Sequence, residues 1–219
     1  MASLEGWGSA IELHPRRRPR VAARPLVTAS NADIRTRMRS QTEAVDITVR
    51  HASEADGPRL QEIELAAGAQ FRTVGMDDIA DDEPFTLDEL AAYRHDGRSF
   101  VAEIDGVVVG YIVIDIVGDA AHIEQVSVVP EAQGRGVGRA LVGRAAAVAA
   151  ERGLAALTLT TFRDVAWNAP LYAHLGFRLL ADHELSAELR ALRDRETAHG
   201  LDPSLRVCMR QELRERTTP

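Results

Sequence analysis

A strand that passes directly into a glycine-rich helix start constrains this chain more than any other feature. Residues 126–141, VSVVPEAQGRGVGRAL, begin with alternating apolar residues, pass Pro130, and then place three glycines within five residues. No acidic residue occurs from Ala132 to Ala150, although the whole chain has a formal net charge of −7. A helix N-terminus presents unpaired N–H groups and the positive end of the helix dipole. The stretch therefore predicts a binding site for a phosphate or diphosphate at residues 133–139.

The spacing of these glycines excludes two common phosphate-binding motifs. The dinucleotide fingerprint G-x-G-x-x-G is incomplete, because Arg139 stands at its third glycine position. A P-loop needs a lysine, and all 26 basic residues of the chain are arginine. The lack of lysine also excludes Schiff-base chemistry on a lysine side chain.

Alternating and amphipathic segments predict the element order β-α-α-β-β-β-α-β-α-β-(α)-β between residues 46 and 213. Strands are predicted at 46–52, three times within 99–130, at 156–162, from Phe177 and at 206–213; helices are predicted after Ser53, at 86–93, 136–151, 167–175 and 186–200. A run of antiparallel strands followed by a β-α-β crossover predicts an α/β (α+β) fold. Its central sheet is mixed, mostly antiparallel, and flanked by helices.

The first 45 residues differ from the rest in charge and in pattern. They have a net charge of about +4 and no sustained period, whereas residues 46–219 have about −11. We expect a disordered, arginine-rich tail at 1–45, a single domain at 46–213 and a short tail at 214–219. A nucleic-acid arm, a targeting peptide and a native start at Met38 stay open for the N-terminal tail. The acidic domain itself is not expected to bind nucleic acid, because phosphate contacts need a basic face.

The single cysteine and the hydropathy of the chain exclude several kinds of site and of protein. The single cysteine, Cys208, excludes an internal disulfide and a metal site built on several cysteines, and the seven histidines lack metal-ligand spacing. We expect no metal. No apolar run approaches the roughly 20 residues that span a bilayer, so no membrane association is expected. A reducing, cytoplasmic location agrees with this cysteine usage.

The glycine-rich loop and the segments after it resemble the GNAT superfamily, the acyl-coenzyme A-dependent N-acyltransferases. Gln133-x-x-Gly136-x-Gly138 matches the family signature Q/R-x-x-G-x-G/A at a strand–helix junction. TLTTF (158–162) and WNAPLYAHLGF (167–177) resemble the next strand and helix of the family. The resemblance covers roughly residues 46–213. It implies splayed middle strands in the sheet, acetyl-CoA as co-substrate, and an N-acetyltransferase activity.

The resemblance also implies which residues bind coenzyme A. Main-chain amides of the signature loop would hold the diphosphate, and the pantetheine arm would run beside the strand before the loop. A backbone N–H near Val126 would face the thioester oxygen as an oxyanion donor. The implied binding residues are Val126, Val128, Gln133, Gly134, Arg135, Gly136, Val137, Gly138, Arg139 and Asn168. Asn168 also has the local pattern of a helix N-cap, so a purely capping role stays open.

The transfer chemistry needs a proton donor and a base. The resemblance implies that Tyr172 donates a proton to the departing thiolate, although a core-packing role for this tyrosine stays open. An amine near pKa 10 is protonated at neutral pH and cannot attack a thioester until it loses a proton. Alternation along the strand before the loop places His122 and Glu124 on one face with Val126 and Val128. Glu124 and then His122 are the candidate bases, with ordered water as the alternative.

The acceptor is the least defined part of the prediction. The resemblance implies that residues 69–85 and 183–205 line its site, and the predicted substrate-binding residues are Phe71, Asp81 and Trp167. An acidic stretch at 76–85 would attract a cationic acceptor, unless it is simply a solvated loop. We expect direct acetyl transfer to a primary amine of a small molecule or a peptide or protein. A non-catalytic acyl-CoA sensor or scaffold is the alternative, and a homodimer stays open.

Overall fold

The structure, a computed structural model, describes residues 46–213, so the predicted tails and the Met38 start lie outside the described residues. Its strands are β1 (Ile47–His51), β2 (Ser99–Ile104), β3 (Val107–Val117), β4 (Ala120–Val128), β5 (Ala156–Phe162), β6 (Arg178–Leu179) and β7 (Arg206–Glu212). Its α-helices are α1 (Gly57–Gly68), α2 (Asp77–Ala80), α3 (Leu87–His95), α4 (Val137–Glu151), α5 (Ala169–His174) and α6 (Ala187–Ala198).

The strands form one seven-stranded sheet in the order β1-β2-β3-β4-β5-β7-β6. The pair β4–β5 is parallel, and every other neighbouring pair is antiparallel. The parallel pair follows from the crossover through α4, which returns the chain to the same edge. The predicted mixed, mostly antiparallel sheet is confirmed.

Helices cover both faces of the sheet, and β3 shows how closely they pack. Tyr111 on β3 donates its hydroxyl hydrogen to Glu64 of α1. The preceding residue, Gly110, points to the other face, where an added Cβ would lie 3.1 Å from Val137 at the start of α4. That Cβ would also lie 2.9 Å from the Ser127 carbonyl oxygen. A side chain at position 110 would therefore push the start of α4 away from the sheet.

Local sequence signals account for the element boundaries around β2 and β3. Thr86 and Glu89 form the predicted capping box before α3, with the Glu89 N–H donating to the Thr86 hydroxyl at 3.2 Å. Asp105 (φ 53°) and Gly106 (φ 76°) are both left-handed, as a two-residue type I′ hairpin requires. The three consecutive strands predicted within 99–130 are thus confirmed.

The two middle strands separate halfway along their length. Pairing between β4 and β5 runs from Ala120 with Ala156 to Ile123 with Leu159 and then stops. Beyond that point β4 continues to Val128 beside β3, and β5 continues to Phe162 beside β7. The predicted splay is confirmed, and it leaves a gap between residues 124–128 and 160–162.

A β-bulge on β4 corrects the predicted alternation along this strand. Gln125 pairs with Val113 and Ile123 pairs with Ile114, so Glu124 is the extra residue of the bulge. Because of this extra residue, the β4 side chains before Glu124 point to the opposite face from the one that simple alternation predicts. The prediction that His122 shares a face with Val126 and Val128 is therefore wrong. His122 lies on the face of Gln125 and Ser127 instead.

Two shorter segments also differ from the prediction. The strand predicted from Phe177 is reduced to two residues, Arg178 and Leu179, which pair with Arg210 and Met209 in the middle of β7. The acidic stretch at 76–85 contains the single helical turn of α2 rather than loop alone. Neither difference changes the order of the sheet.

Candidate active site

The loop between β4 and α4 forms the helix start that the sequence predicts as an anion site. Gly134 (φ 73°) and Gly136 (φ 93°) adopt left-handed conformations that other residues rarely take. The Ala140 N–H donates to the Gly136 carbonyl at 3.0 Å, which closes the first turn of α4. The amides of Val137 to Arg139 precede that bond, so helix geometry gives them no intrahelical acceptor. They point out of the helix end together with the positive end of its dipole.

Main-chain groups on the last half of β4 face the gap. The Val129 N–H donates to the Val109 carbonyl on β3 at 2.9 Å. Because backbone groups alternate in direction along a strand, those of Val126 and Val128 point toward the gap beside β5. The Val128 carbonyl already accepts a hydrogen bond from Gln133 Nε2 at 3.2 Å. Gln133 therefore ties the loop to the strand edge.

One cavity of about 860 Å³ connects the helix start to the opposite side of the sheet through this gap. Most of the residues predicted from the sequence line it, and they are Val126, Val128, Gln133, Gly134, Gly136, Val137, Gly138, Arg139, Asn168, Tyr172, Glu124, Phe71 and Trp167. Three predicted residues, His122, Arg135 and Asp81, are not in the lining. The strand splay thus creates a passage between the helix start and the opposite side of the sheet.

His122 and Asp81 are occupied elsewhere in the fold. His122 is 1% exposed, and its Nδ1 lies 3.0 Å from the Thr158 hydroxyl. Burial, with a smaller effect of the Arg206 charge, lowers the pKa of His122 to about 3, so the imidazole is neutral. Asp81 is exposed and forms an ion pair with Arg72. Neither side chain reaches the passage.

Glu124 stands in the gap because the bulge takes it out of the strand ladder. Burial, with smaller effects of the Asp115 and Glu196 charges, raises the pKa of its carboxyl to about 8. No hydrogen bond to this carboxyl is formed within residues 46–213. A carboxyl of this kind binds a proton near neutral pH and releases it to solvent or substrate at slightly alkaline pH.

Tyr172 and Asn168 lie on either side of the first turn of α5. The Tyr172 N–H donates to the Asn168 carbonyl at 3.0 Å, and the ring packs edge-on against Phe177 at 5.7 Å. Burial raises the pKa of Tyr172 to about 12, so its hydroxyl keeps its proton. Asn168 occupies the N-cap position, yet its side chain forms no capping hydrogen bond. Both side chains therefore remain free to meet a ligand in the cavity that they line.

Residues 61–177 match the model of the acetyltransferase (GNAT) family. The chain belongs to this family. Mycothiol acetyltransferase of Nocardia farcinica (strain IFM 10152) is 32% identical over 103 residues, which are 47% of this chain and 33% of that protein. The chain thus spans about a third of the length of this curated relative.

Solved structures of acetyltransferases share the fold. PaiA N-acetyltransferase from Thermoplasma acidophilum in complex with coenzyme A superimposes with a TM-score of 0.58 at 15% identity, covering 76% of this chain and 99% of that one. The ribosomal-protein-S18-alanine N-acetyltransferase from Escherichia coli gives a TM-score of 0.54 at 19% identity, covering 80% and 99%. At these identities the likeness concerns the architecture.

Glu64 is a cavity-lining carboxyl that sequence reasoning missed. It lies on α1 and lines the cavity, and burial raises the pKa of its carboxyl to about 7. The sequence does contain a signal for it. Glu64 stands four residues after Leu60 and one after Ile63, both of which are buried on the apolar face of α1. A carboxylate on an apolar helix face needs a partner or a function.

A polar cluster on α6 and β7 was also missed. Arg206 donates to Thr160 at 3.0 Å and to Glu196 at 2.6 Å, and all three residues line the cavity. The predicted lining by the segment between the last two strands is thereby located on α6. Arg206 also lies over the Phe162 ring, with its guanidinium carbon 4.8 Å from the ring centroid.

Within the described residues, no cluster of side chains fits a metal ion, and no helix combines the length and apolar character that crossing a bilayer requires.

Proposed function

We propose that the protein is an N-acetyltransferase that moves the acetyl group of acetyl-CoA to a primary amine by direct attack in a ternary complex. One observation carries the proposal. A single cavity joins the signature loop, where a diphosphate would bind, to a gap that contains Glu124 and Tyr172. Family membership supports the same activity, because the matched residues 61–177 include the loop, the gap and both side chains.

The N-terminal end of α4 would bind the diphosphate of coenzyme A. The amides of the loop and first turn, at Gly134 to Arg139, would donate to the diphosphate oxygens, and the two left-handed glycines allow close approach. Arg139 adds a cation to the same wall. Along β4, the C=O of Val126 and the N–H of Val128 would bond the pantetheine arm as an added strand would, which leaves the Val126 N–H for the thioester oxygen. The Val128 carbonyl is not assigned to the pantetheine arm, because it already accepts a hydrogen bond from Gln133.

Glu124 is the base that this arrangement favours. Its raised pKa keeps the carboxyl close to the protonation equilibrium at physiological pH, so the ionised form takes a proton from the acceptor ammonium without a large barrier. The amine then attacks the thioester carbon, and the oxygen gains negative charge. The Val126 N–H, which faces the gap, would donate to that oxygen.

Tyr172 is the proton donor to the departing thiolate. Its pKa of about 12 keeps the hydroxyl protonated throughout the working pH range. A thiol has a pKa near 8.5, so proton transfer from the phenol is uphill and follows development of charge on the sulfur. The nitrogen then loses its second proton, which restores the Tyr172 hydroxyl. The products are an acetylated amine and coenzyme A as free thiol, with the first ammonium proton carried away by Glu124.

No step of this reaction uses the cysteine. Cys208 is 3% exposed on β7, and burial raises the pKa of its thiol. A buried, protonated thiol is a poor nucleophile. Direct transfer therefore fits this chain better than a covalent acetyl-enzyme.

A thiol-release assay over a panel of primary amines tests the proposal. We expect calorimetry to give a similar dissociation constant for acetyl-CoA in the unchanged protein and in Tyr172→Phe. Turnover with the best amine should fall on the order of 10²-fold in the variant, the effect of losing one general acid. Binding of acetyl-CoA without transfer to any amine would favour a non-catalytic acyl-CoA sensor instead.

A further inference from the structure

The acceptor side of the cavity contains a groove along one helical face. α1 continues without interruption into a 3-10 turn at Ala69–Val74, so residues 57–74 form one helical segment. Glu64, Gly68 and Phe71 follow each other at intervals of four and three residues, the spacing that places side chains on one face. All three line the cavity. The groove is thus defined by a carboxyl at one end, a glycine in the middle and an aromatic ring at the other end.

The carboxyl end of the groove is held rigidly. The Tyr111 hydroxyl and the Phe85 N–H, at 3.2 Å, donate to one oxygen of Glu64. Gln125 Nε2 donates to the other oxygen at 3.2 Å and also contacts the Ser127 hydroxyl at 3.0 Å. Gln125 follows the bulge residue directly, so this network fixes Glu64 next to the gap. A fixed carboxyl beside the reacting position suits binding and orientation of an ammonium group.

The aromatic end of the groove is a cluster of three rings. Phe71 lies edge-on to Phe162 at 5.6 Å and to Trp167 at 5.7 Å between centroids. All three rings line the cavity. The guanidinium of Arg206 lies over the Phe162 ring and is paired with Glu196 at 2.6 Å. This end therefore offers a flat apolar surface.

The middle of the groove is open because Gly68 has no side chain. A Cβ built on Gly68 would meet a single neighbour, the Ile79 carbonyl oxygen, at 3.9 Å. The backbone there is right-handed helical (φ −58°), so any residue fits the main chain. The glycine is therefore not required by the fold. Its consequence is free volume between the carboxyl and the rings.

We infer that the acceptor is a primary amine that bears a flat apolar substituent, with its nitrogen between Glu64 and Glu124 and its substituent among Phe71, Phe162 and Trp167. This inference rests on the proposed function and names the substrate class of that site. Glu64 and Phe71 are seven positions apart on this helical segment, a rise of roughly 10 Å, which a phenyl ring on a short methylene chain spans. A diamine fits less well, because its second ammonium would lose its hydration among the three rings.

A comparison of three amines tests the class directly. We expect phenethylamine to exceed butylamine in kcat/KM by about tenfold or more, since the rings bury the phenyl group. Putrescine should be a poorer acceptor than butylamine. In Phe71→Ala the advantage of phenethylamine should shrink severalfold, and Phe71→Leu should restore part of it.

Blocking the groove gives a second test. Gly68→Leu places bulk between the carboxyl and the rings, so kcat/KM for phenethylamine should fall at least tenfold while the dissociation constant of acetyl-CoA stays unchanged. Gly143→Leu is the matched control, because Gly143 is an exposed position of α4 with open space around its Cβ. In Gly143→Leu, kcat/KM for phenethylamine and the dissociation constant of acetyl-CoA should both stay unchanged. Unchanged secondary structure by circular dichroism shows that each variant folds.

The outcomes separate this inference from the proposed function. Transfer to butylamine and phenethylamine at equal rates, a preference for putrescine, or full activity of Gly68→Leu would each overturn the inference and leave acetyl transfer intact. Failure of the unchanged protein to acetylate any amine, with acetyl-CoA bound, would overturn both.

Discussion

Replacing Glu124 by glutamine is expected to stabilise the protein at alkaline pH and to do so far less at acidic pH. Glutamine has the shape of a protonated carboxyl but cannot ionise. Burial raises the pKa of Glu124 from its ordinary 4.5 to about 8 in the folded protein. A carboxyl whose pKa is raised in the folded protein makes its full contribution to the free energy of unfolding below its unfolded pKa of 4.5. It is lost as pH rises through about 8.

The size of the effect follows from the two pKa values. Each unit of pKa difference corresponds to about 1.4 kcal/mol. The free energy of unfolding of the unchanged protein should fall below that of the Glu124→Gln variant by less than about 1 kcal/mol at pH 5. The difference should be about 3 kcal/mol at pH 7 and about 5 kcal/mol at pH 9. These are upper limits, because water entering the cavity solvates part of the carboxylate. At pH 9 the limit corresponds to a rise of roughly 10 °C or more in Tm.

Urea unfolding of both proteins at pH 5, 7 and 9 measures the difference. Glu131→Gln is the control, since Glu131 is an exposed carboxyl on the turn after β4 and should give no pH-dependent gain. The Glu124→Gln variant should also lose acetyl-transfer activity, which separates stability from function. Destabilisation at pH 9, or an equal gain at pH 5 and pH 9, would show that desolvation does not control this carboxyl.

Three further results are expected. Gly136→Ala forces a side chain onto a left-handed position, so it should cost about 1–2 kcal/mol of stability and weaken acetyl-CoA binding about tenfold by calorimetry. The turnover number should rise with pH through about 8, because Glu124 acts when ionised; Glu124→Gln should lack that rise, and an identical profile in both proteins would remove Glu124 as the base. Cys208→Ala should retain activity, and iodoacetamide should not inactivate the folded protein; a loss in either test would point to a covalent route.

The element order was predictable because its signals are local. The capping box at Thr86, the Asp105–Gly106 hairpin and the glycine-rich start of α4 each depend on a few consecutive residues, and each forms where the sequence places it. The loop that we propose binds the diphosphate also depends on local signals. A strand, a left-handed loop and a helix start are contiguous in sequence, so chemistry and geometry are visible together.

The proposed acceptor side was less predictable because its contacts are distant in sequence. Glu64 meets the Phe85 N–H 21 residues away, the Tyr111 hydroxyl 47 residues away and the Gln125 amide 61 residues away. No local pattern contains that information. Asp81 was predicted to bind substrate because of its charge alone, and in the structure its carboxylate forms an ion pair with Arg72 instead.

The bulge at Glu124 explains why one error in strand alternation affected both candidate bases. Its position depends on the register between β3 and β4, which a single strand sequence does not specify. The extra residue turns His122 away from the gap and takes Glu124 out of the ladder. It also directs Gln125 toward α1, where its amide donates to Glu64. One inserted residue therefore positions both the proposed base and the carboxyl proposed to orient the acceptor, so a change of register here would displace both together.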